Sequence, residues 1–277
     1  MKFPFTKMHG LGNDFVVFDF TKKSFDLTKS KAIEIADRHF GIGCDQILLV
    51  ETSSTPDIDF KYRIFNADGN EVGQCGNGAR CFAVFIREQG ISDKSLLTVE
   101  TKNGVLTLQL DAKNDLVTVN MGIPNFEPKE IPLTSDLFRE TYQIKVNDEQ
   151  IKFSSLSIGN PHAVIIVDAL DDYDVETVGL AFQSNQFFPE KVNVGFMQII
   201  DRNHINLRVF ERGVGETIAC GSGACAAVVS GIQSGVLDSS VTSILNGGSL
   251  LITWDGEGSP VMMSGPAKSI FTGEIVI

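Results

Sequence analysis

The chain has 277 residues, 43% of them hydrophobic and 21% charged, with a formal net charge of −12. That balance describes a globular chain with room for two domains of ordinary size and excludes a disordered one. It also argues against a nucleic-acid partner, which needs a positive footprint.

Met1-Lys-Phe-Pro-Phe-Thr-Lys7 contains no apolar signal core, and no apolar run is long enough to span a bilayer, so no membrane contact and a cytoplasmic location are expected. Five cysteines are an odd number, which makes a full disulfide framework a poor reading. The spacings of Cys75 to Cys81 and of Cys220 to Cys225 miss the short Cys-x2-Cys spacing of structural zinc sites, so free thiols and no metal are expected.

In chain order, the first half predicts a strand over Phe15 to Phe20, then a helix over Lys29 to Phe40 stopped by Gly41. Strands follow at Ile47 to Glu51 and Phe60 to Asn66, and a helix over Asn77 to Gln89 ends at Gly90. Leu96 to Thr101, Val105 to Leu110 and Val117 to Met121 read as strands, the last two joined by a hairpin turn at Ala112 to Asp115. Gly122-Ile-Pro-Asn125 marks a domain boundary. Beyond it, strands are predicted at Tyr142 to Val146, Gln150 to Ser154, Ala163 to Val167, Val194 to Ile200, Ile205 to Glu211, Leu250 to Trp254, Val261 to Ser264 and Ile270 to Ile277. Helices are predicted at Asp174 to Phe182 and at Ser222 to Ser234, before Gly235. The helices that begin near Cys75 and Cys220 carry apolar residues on several faces, which suits a sheet wrapped round a central helix.

The two halves repeat one another. Arg63 to Ala79 and Arg208 to Ala224 are identical at seven of 17 positions, including the core Cys-Gly-x-Gly-Ala. The repeat extends outward and pairs Asn13 with Asn160, Gln46 with Asn193, Asn66 with Glu211 and Cys75 with Cys220. So long a period points to a duplicated domain, not a solenoid. Two thiols in matched contexts suit a reaction with two mirror-related faces, in which a proton leaves one side of a carbon and returns on the other.

Each motif places a cysteine at a strand-to-helix junction. Free N–H groups of the helix's first turn favour a carboxylate guest and a thiolate over a thiol. The dipole contributes about 0.3–2 kcal/mol, too little to activate a thiol alone, so desolvation and a neighbouring base are needed. Glu211, at the repeat position of Asn66, is a candidate base near a thiol. Arg212 in the same turn offers a fork for a second carboxylate. Cys44, Cys81 and Cys225 are expected to be packing residues.

Seven segments together resemble the diaminopimelate epimerase family: Met8-His-Gly-Leu-Gly-Asn-Asp-Phe15, Gly41-Ile-Gly-Cys-Asp-Gln46, Phe65-Asn-Ala-Asp-Gly69, Gln74-Cys-Gly-Asn-Gly-Ala-Arg80, Gly159-Asn-Pro-His162, Glu211-Arg-Gly-Val-Gly-Glu-Thr217 and Ala219-Cys-Gly-Ser-Gly223. The resemblance implies an α/β (α+β) fold of two pseudo-symmetric domains, each a barrel-like mixed sheet around a central helix, with the active site in the cleft. The domains would span 1–121 with 265–277, and 122–264. It implies an isomerase without cofactor that interconverts L,L- and meso-2,6-diaminopimelate for lysine and peptidoglycan-precursor synthesis, often as a homodimer. Cys75 and Cys220 would be the acid and base, tuned by His162 and Glu211. Substrate contacts would come from Asn13, Gln46, Asn66, Gly76, Asn77, Asn160, Asn193, Glu211, Arg212, Gly221 and Ser222. The alternatives are a related two-cysteine racemase or isomerase of a small amino acid such as proline or hydroxyproline, or a thiol redox or metal-binding module.

Overall fold

The structure is a computed structural model that describes residues 2–23, 25–73, 75–111 and 113–276. Gln74 of the first cysteine motif, Ala112 of the expected hairpin turn, and Met1, Ser24 and Ile277 within the expected domain and strand spans lie outside the described residues. The chain divides into two compact units, Met1–Asn120 with Ser264–Ile277, and Met121–Met263.

The first unit begins with β1 (Lys2–Gly10) and β2 (Asn13–Phe20), followed by α1 (Lys29–Ala36), β3 (Gln46–Thr52), β4 (Phe60–Asn66) and β5 (Glu71–Val72). Then come α2 (Gly76–Glu88), β6 (Leu96–Thr101), β7 (Gly104–Asp111) and β8 (Leu116–Asn120). The next strands are β9 (Tyr142–Val146), β10 (Glu149–Ser157) and β11 (Pro161–Ile166). Beyond them lie α3 (Val175–Gln183), β12 (Asn193–Asp201), β13 (His204–Glu211), β14 (Gly215–Thr217) and α4 (Gly221–Gln233). The chain closes with β15 (Ser240–Leu245), β16 (Gly248–Thr253), β17 (Met262–Gly265) and β18 (Lys268–Val276), the last pairing antiparallel with β1 in the first unit.

Each unit repeats the other's strand register. Parallel β2 and β3 set Phe15 opposite Gln46, and parallel β11 and β12 set His162 opposite Asn193. Ile47 faces Phe65 where Val194 faces Phe210, and Phe65 faces Glu71 where Phe210 faces Glu216. The same arginine–glutamate pair locks both hairpins: Arg63 Nε to Glu71 at 2.8 Å, and Arg208 Nε to Glu216 at 2.7 Å. A one-residue slip would put every side chain on the wrong face, so this register fixes which residues reach the strand ends.

Both cysteine-motif helices are enclosed by sheet. α2 packs against β1, β2, β3, β7, β8 and β18, and α4 against β10, β11, β12, β13, β15 and β16. Such enclosure is why nine residues of α2 and ten of α4 are buried, each in a 13-residue helix. It also demands small residues. A Cβ on Gly78 would meet the Tyr62 hydroxyl at 2.5 Å and the Phe15 ring at 3.2 Å. Gly78→Ala is therefore expected to cost about 1–3 kcal/mol, read as a lowered Tm in calorimetry; an unchanged Tm would show that Tyr62 gives way freely.

Two sequence expectations need correction. α1 stops at Ala36, short of Phe40, because the Asp37 carboxylate accepts the backbone N–H groups of His39 and Phe40 and turns the chain. Ile42 and Gly43 then donate back to the Ile35 carbonyl and seal the helix end. Strands β1, β5, β14 and β15 were not expected. β1 alternates exposed Lys2 and Pro4 with buried Phe3 and Phe5, but a proline inside the run reads against a strand, and β15 spends a core position on Ser243 while Ile244 is exposed. Among the described residues, no helix is long and apolar enough to cross a membrane.

Candidate active site

In the first unit, strand ends converge on the N-terminus of α2. Cys75 is the N-cap: its extended backbone (φ −144°, ψ 122°) lets its sulfur accept the Gly78 N–H at 3.5 Å. The same sulfur donates to Asn13 Oδ1 at 3.7 Å, and the Tyr62 hydroxyl donates to the Cys75 carbonyl at 3.3 Å. Cys75 is half-buried; Cys44, Cys81 and Cys220, like Cys225, are buried.

Asn13 opens β2, Gln46 opens β3 and Asn66 ends β4. Gln46 Nε2 donates to Asn66 Oδ1 at 2.8 Å, while buried Gln46 Oε1 meets no hydrogen-bond partner among the described residues. Asn77, 3% exposed, donates to Asn13 Oδ1 at 3.3 Å. Gly76 is the first helical residue, so its backbone contributes to the cluster of first-turn N–H groups. The structure thus gathers Asn13, Gln46, Asn66, Cys75, Gly76 and Asn77 at one end of one unit's sheet.

The second unit builds the counterpart with different side chains. Cys220 caps α4, accepting the Gly223 N–H at 3.4 Å, with Ser222 Oγ 3.7 Å from its sulfur. Burial pushes the Cys220 thiol well above its ordinary range, and the hydrogen-bonded Glu211 carboxylate pushes it further. Glu211 is in turn oriented by Thr217 Oγ1, which donates to its Oε1 at 2.6 Å.

His162 is 1% exposed, and its Nε2 lies 2.9 Å from Asn160 Oδ1. Asn160 also donates from Nδ2 to Ser222 Oγ at 3.4 Å, which leaves its oxygen to accept from the ring. Nε2 therefore carries the proton. Nδ1 is left as a buried acceptor with no hydrogen-bond partner among the described residues. Burial first, and the charge of Arg212 second, lower the His162 pKa to about 3, so the ring is neutral at physiological pH.

Asn193 serves a bracing purpose: its Nδ2 donates to the Pro161 carbonyl at 3.0 Å and its Oδ1 accepts the Arg212 N–H at 2.9 Å. That bracket holds the turn carrying Glu211. Arg212 is exposed and donates from Nη1 to the Glu190 carbonyl at 3.2 Å. Gly221 opens α4. Sequence reasoning missed Tyr62 and Thr217, which touch the motif cysteine and its neighbouring carboxylate, and missed Asp45 and Arg80, which hold Asn13 and Asn77. A polar residue in a strand or helix interior leaves no periodic signal of such a partner.

Each unit thus offers a capping thiol, a ring of amides and a first-turn set of N–H groups. That is equipment for moving a proton beside a carboxylate. The fold is that of several solved structures of low sequence identity. A hydroxyproline epimerase from Agrobacterium vitis superimposes with a TM-score of 0.71 at 14% identity, over 99% of this chain and 92% of that one. A PhzF-family phenazine biosynthesis protein from Bacillus anthracis gives 0.70 at 19% identity, over 100% of both chains.

A family model described as diaminopimelate epimerase matches residues 5–127 and 154–270. The chain is 53% identical to a diaminopimelate epimerase from Teredinibacter turnerae and 55% identical to one from Nitrosomonas europaea, each over 99% of both chains. The chain belongs to the diaminopimelate epimerase family, and it is an isomerase.

Proposed function

We propose that the protein interconverts L,L- and meso-2,6-diaminopimelate by a two-base reaction at one α-carbon, without pyridoxal phosphate or metal. The carrying observation is that Cys75 and Cys220 stand at equivalent places in the repeated register, each capping a helix inside its own unit. One cysteine, as thiolate, takes the α-proton and becomes a thiol; the other, as thiol, protonates the planar carbanion and becomes a thiolate. Atoms and charge balance, and the two cysteines end with their protonation states exchanged. Burial and the Glu211 carboxylate favour the thiol form of Cys220.

First-turn N–H groups at Gly76, Asn77, Gly221 and Ser222 would take the α-carboxylate and the charge that develops on it as the proton leaves. The unpartnered acceptors on Gln46 and His162 suit ammonium donors, which this substrate carries at both ends. Asn13, Asn66, Asn160, Asn193, Glu211 and Arg212 complete the proposed contacts, with Arg212 on the distal carboxylate.

The supporting names and register also favour reading the units as copies of one ancestral domain, 1–121 with 265–277 and 122–264. We place the enzyme in the cytoplasm, in lysine and peptidoglycan-precursor synthesis, and as a homodimer. Exposed Ile270 and Val276 on β18 offer apolar surface to the second copy.

Proton NMR of L,L-diaminopimelate with reduced, pyridoxal-free protein in D2O tests the reading. Loss of the α-proton signal as meso product appears is the expected outcome. Absence of exchange would overturn it, and exchange on proline or hydroxyproline in its place would support the racemase reading that the shared fold also allows.

A further inference from the structure

The two thiol sites share a register but differ in what orients their asparagine. In the first unit, four side chains form a line with a charge at each end. Arg80 is fully buried, and its Nη2 donates to Asn77 Oδ1 at 2.9 Å. Asn77 Nδ2 donates to Asn13 Oδ1 at 3.3 Å, and Asn13 Nδ2 donates to Asp45 Oδ2 at 3.0 Å. Asp45 is itself fixed: its Oδ2 accepts the Asp14 N–H at 3.1 Å, and its Oδ1 accepts from Arg38 at 2.7 Å.

A guanidinium can only donate and a carboxylate can only accept. The two ends therefore dictate which way both amides face, and no flipped arrangement satisfies the line. Its consequence is local: Asn13 presents its oxygen, not its NH2, to the Cys75 sulfur at 3.7 Å. A chain of hydrogen bonds between opposite charges also polarises the amides within it, which strengthens that carbonyl as an acceptor.

The second unit has no such line. The repeat positions of Arg80, Asn77 and Asp45 are Cys225, Ser222 and Val192, and Asn160 is oriented by His162 and Ser222. The relay belongs to one thiol alone.

We propose that Asp45 directly, and Arg80 through Asn77, fix the amide of Asn13 with its carbonyl on Cys75, which makes both of them positioning residues for that thiol. The role rests on the proposed function in which Cys75 carries a proton. A carbonyl facing the sulfur stabilises S–H, whereas an NH2 group in its place would stabilise S−. Tyr62 from β4 and Cys81 from α2 also act electrostatically on Cys75, and an Asp45 variant leaves both in place.

The test is the rate at which iodoacetamide labels Cys75 in the reduced full-length protein at pH 7, resolved by peptide mass spectrometry. Asp45→Ala removes the acceptor of the Asn13 NH2, and Asn77→Ala removes the donor to its Oδ1. In the double variant the amide turns its NH2 toward sulfur and Cys75 labels about three- to tenfold faster, as a shift of up to one pKa unit would give, with Asp45→Ala alone between that and wild type. Asp45→Glu restores the wild-type rate. Arg38 keeps its two contacts to Asp14 at 3.0 and 2.8 Å in Asp45→Ala, so no cation is stranded. Should that variant fail to fold, Asp45→Asn keeps the volume, can meet Asn13 with either end of its amide, and is expected to accelerate labelling less.

A Cys75 rate unchanged within about twofold in the double variant would overturn the proposal. So would acceleration shared by buried Cys44 and Cys81, which would signal loosening of the unit. Labelling needs no substrate: faster labelling without α-proton exchange in D2O would retain the positioning role and remove the substrate assignment.

Discussion

Replacing either Cys75 or Cys220 by serine is expected to lower epimerisation about a hundred- to ten-thousandfold while leaving the fold in place. The reason lies in the two uses each sulfur has. As an N-cap it accepts a backbone N–H, from Gly78 at 3.5 Å or from Gly223 at 3.4 Å. A serine oxygen does this at least as well, so the helices keep their first turns. As an acid or base it must exchange a proton with a carbon near neutral pH, which a hydroxyl does far less readily than a thiol. Removing a positioned acid or base costs about 10² to 10⁴ in rate, and a two-base reaction has no substitute for either partner. Alanine would lose both uses and add about 1 kcal/mol of destabilisation per cap, which is why serine separates chemistry from folding. Circular dichroism should match wild type while meso product fails to accumulate. A single variant with near-native turnover would sink the two-base assignment.

The local positions of both cysteines were legible because glycine, cysteine and alanine recur in the same order with a strand before and a helix after. The α/β fold was legible for the same reason, since strand-like runs dominate each half and one helix follows each cysteine. What sequence could not supply were contacts that depend on the third dimension. Nothing in the sequence marks Arg80 for burial, yet enclosure of α2 by six strands leaves it 0% exposed. Asp45 reads as a turn residue beside Gln46, and its contact with Asn13 joins segments 32 positions apart. The end of α1 was misjudged because Gly41 gave a strong stop signal, while the side chain that ends the helix is Asp37, four residues earlier. A carboxylate that competes for backbone N–H groups looks in sequence like an ordinary polar position on a helix.

His162 makes the second large prediction, on stability against pH. In the folded protein its pKa is lowered to about 3, first by burial and then by Arg212; in the unfolded chain it returns to its ordinary value of 6.5. Below pH 6.5 the unfolded chain therefore binds a proton that the folded one refuses. The stabilisation is complete above 6.5 and is lost progressively as pH falls toward 3. At pH 4.5 the loss relative to pH 7 amounts to about 2–3 kcal/mol. The carboxylates that ion pairs hold low, such as Glu71 with Arg63, unfold to ordinary values near 4.5, so their losses belong mainly to more acid solutions. His162→Gln isolates the effect. It removes a packed ring and is less stable at pH 7, but it has nothing to titrate, so urea-unfolding free energies of variant and wild type should converge between pH 7 and 4.5. Parallel curves over that range would mean that His162 is protonated alike in both states. The ring would then titrate near its ordinary value, and the Nδ1 acceptor that the proposed site offers to a substrate ammonium would be lost only as pH falls below about 6.5.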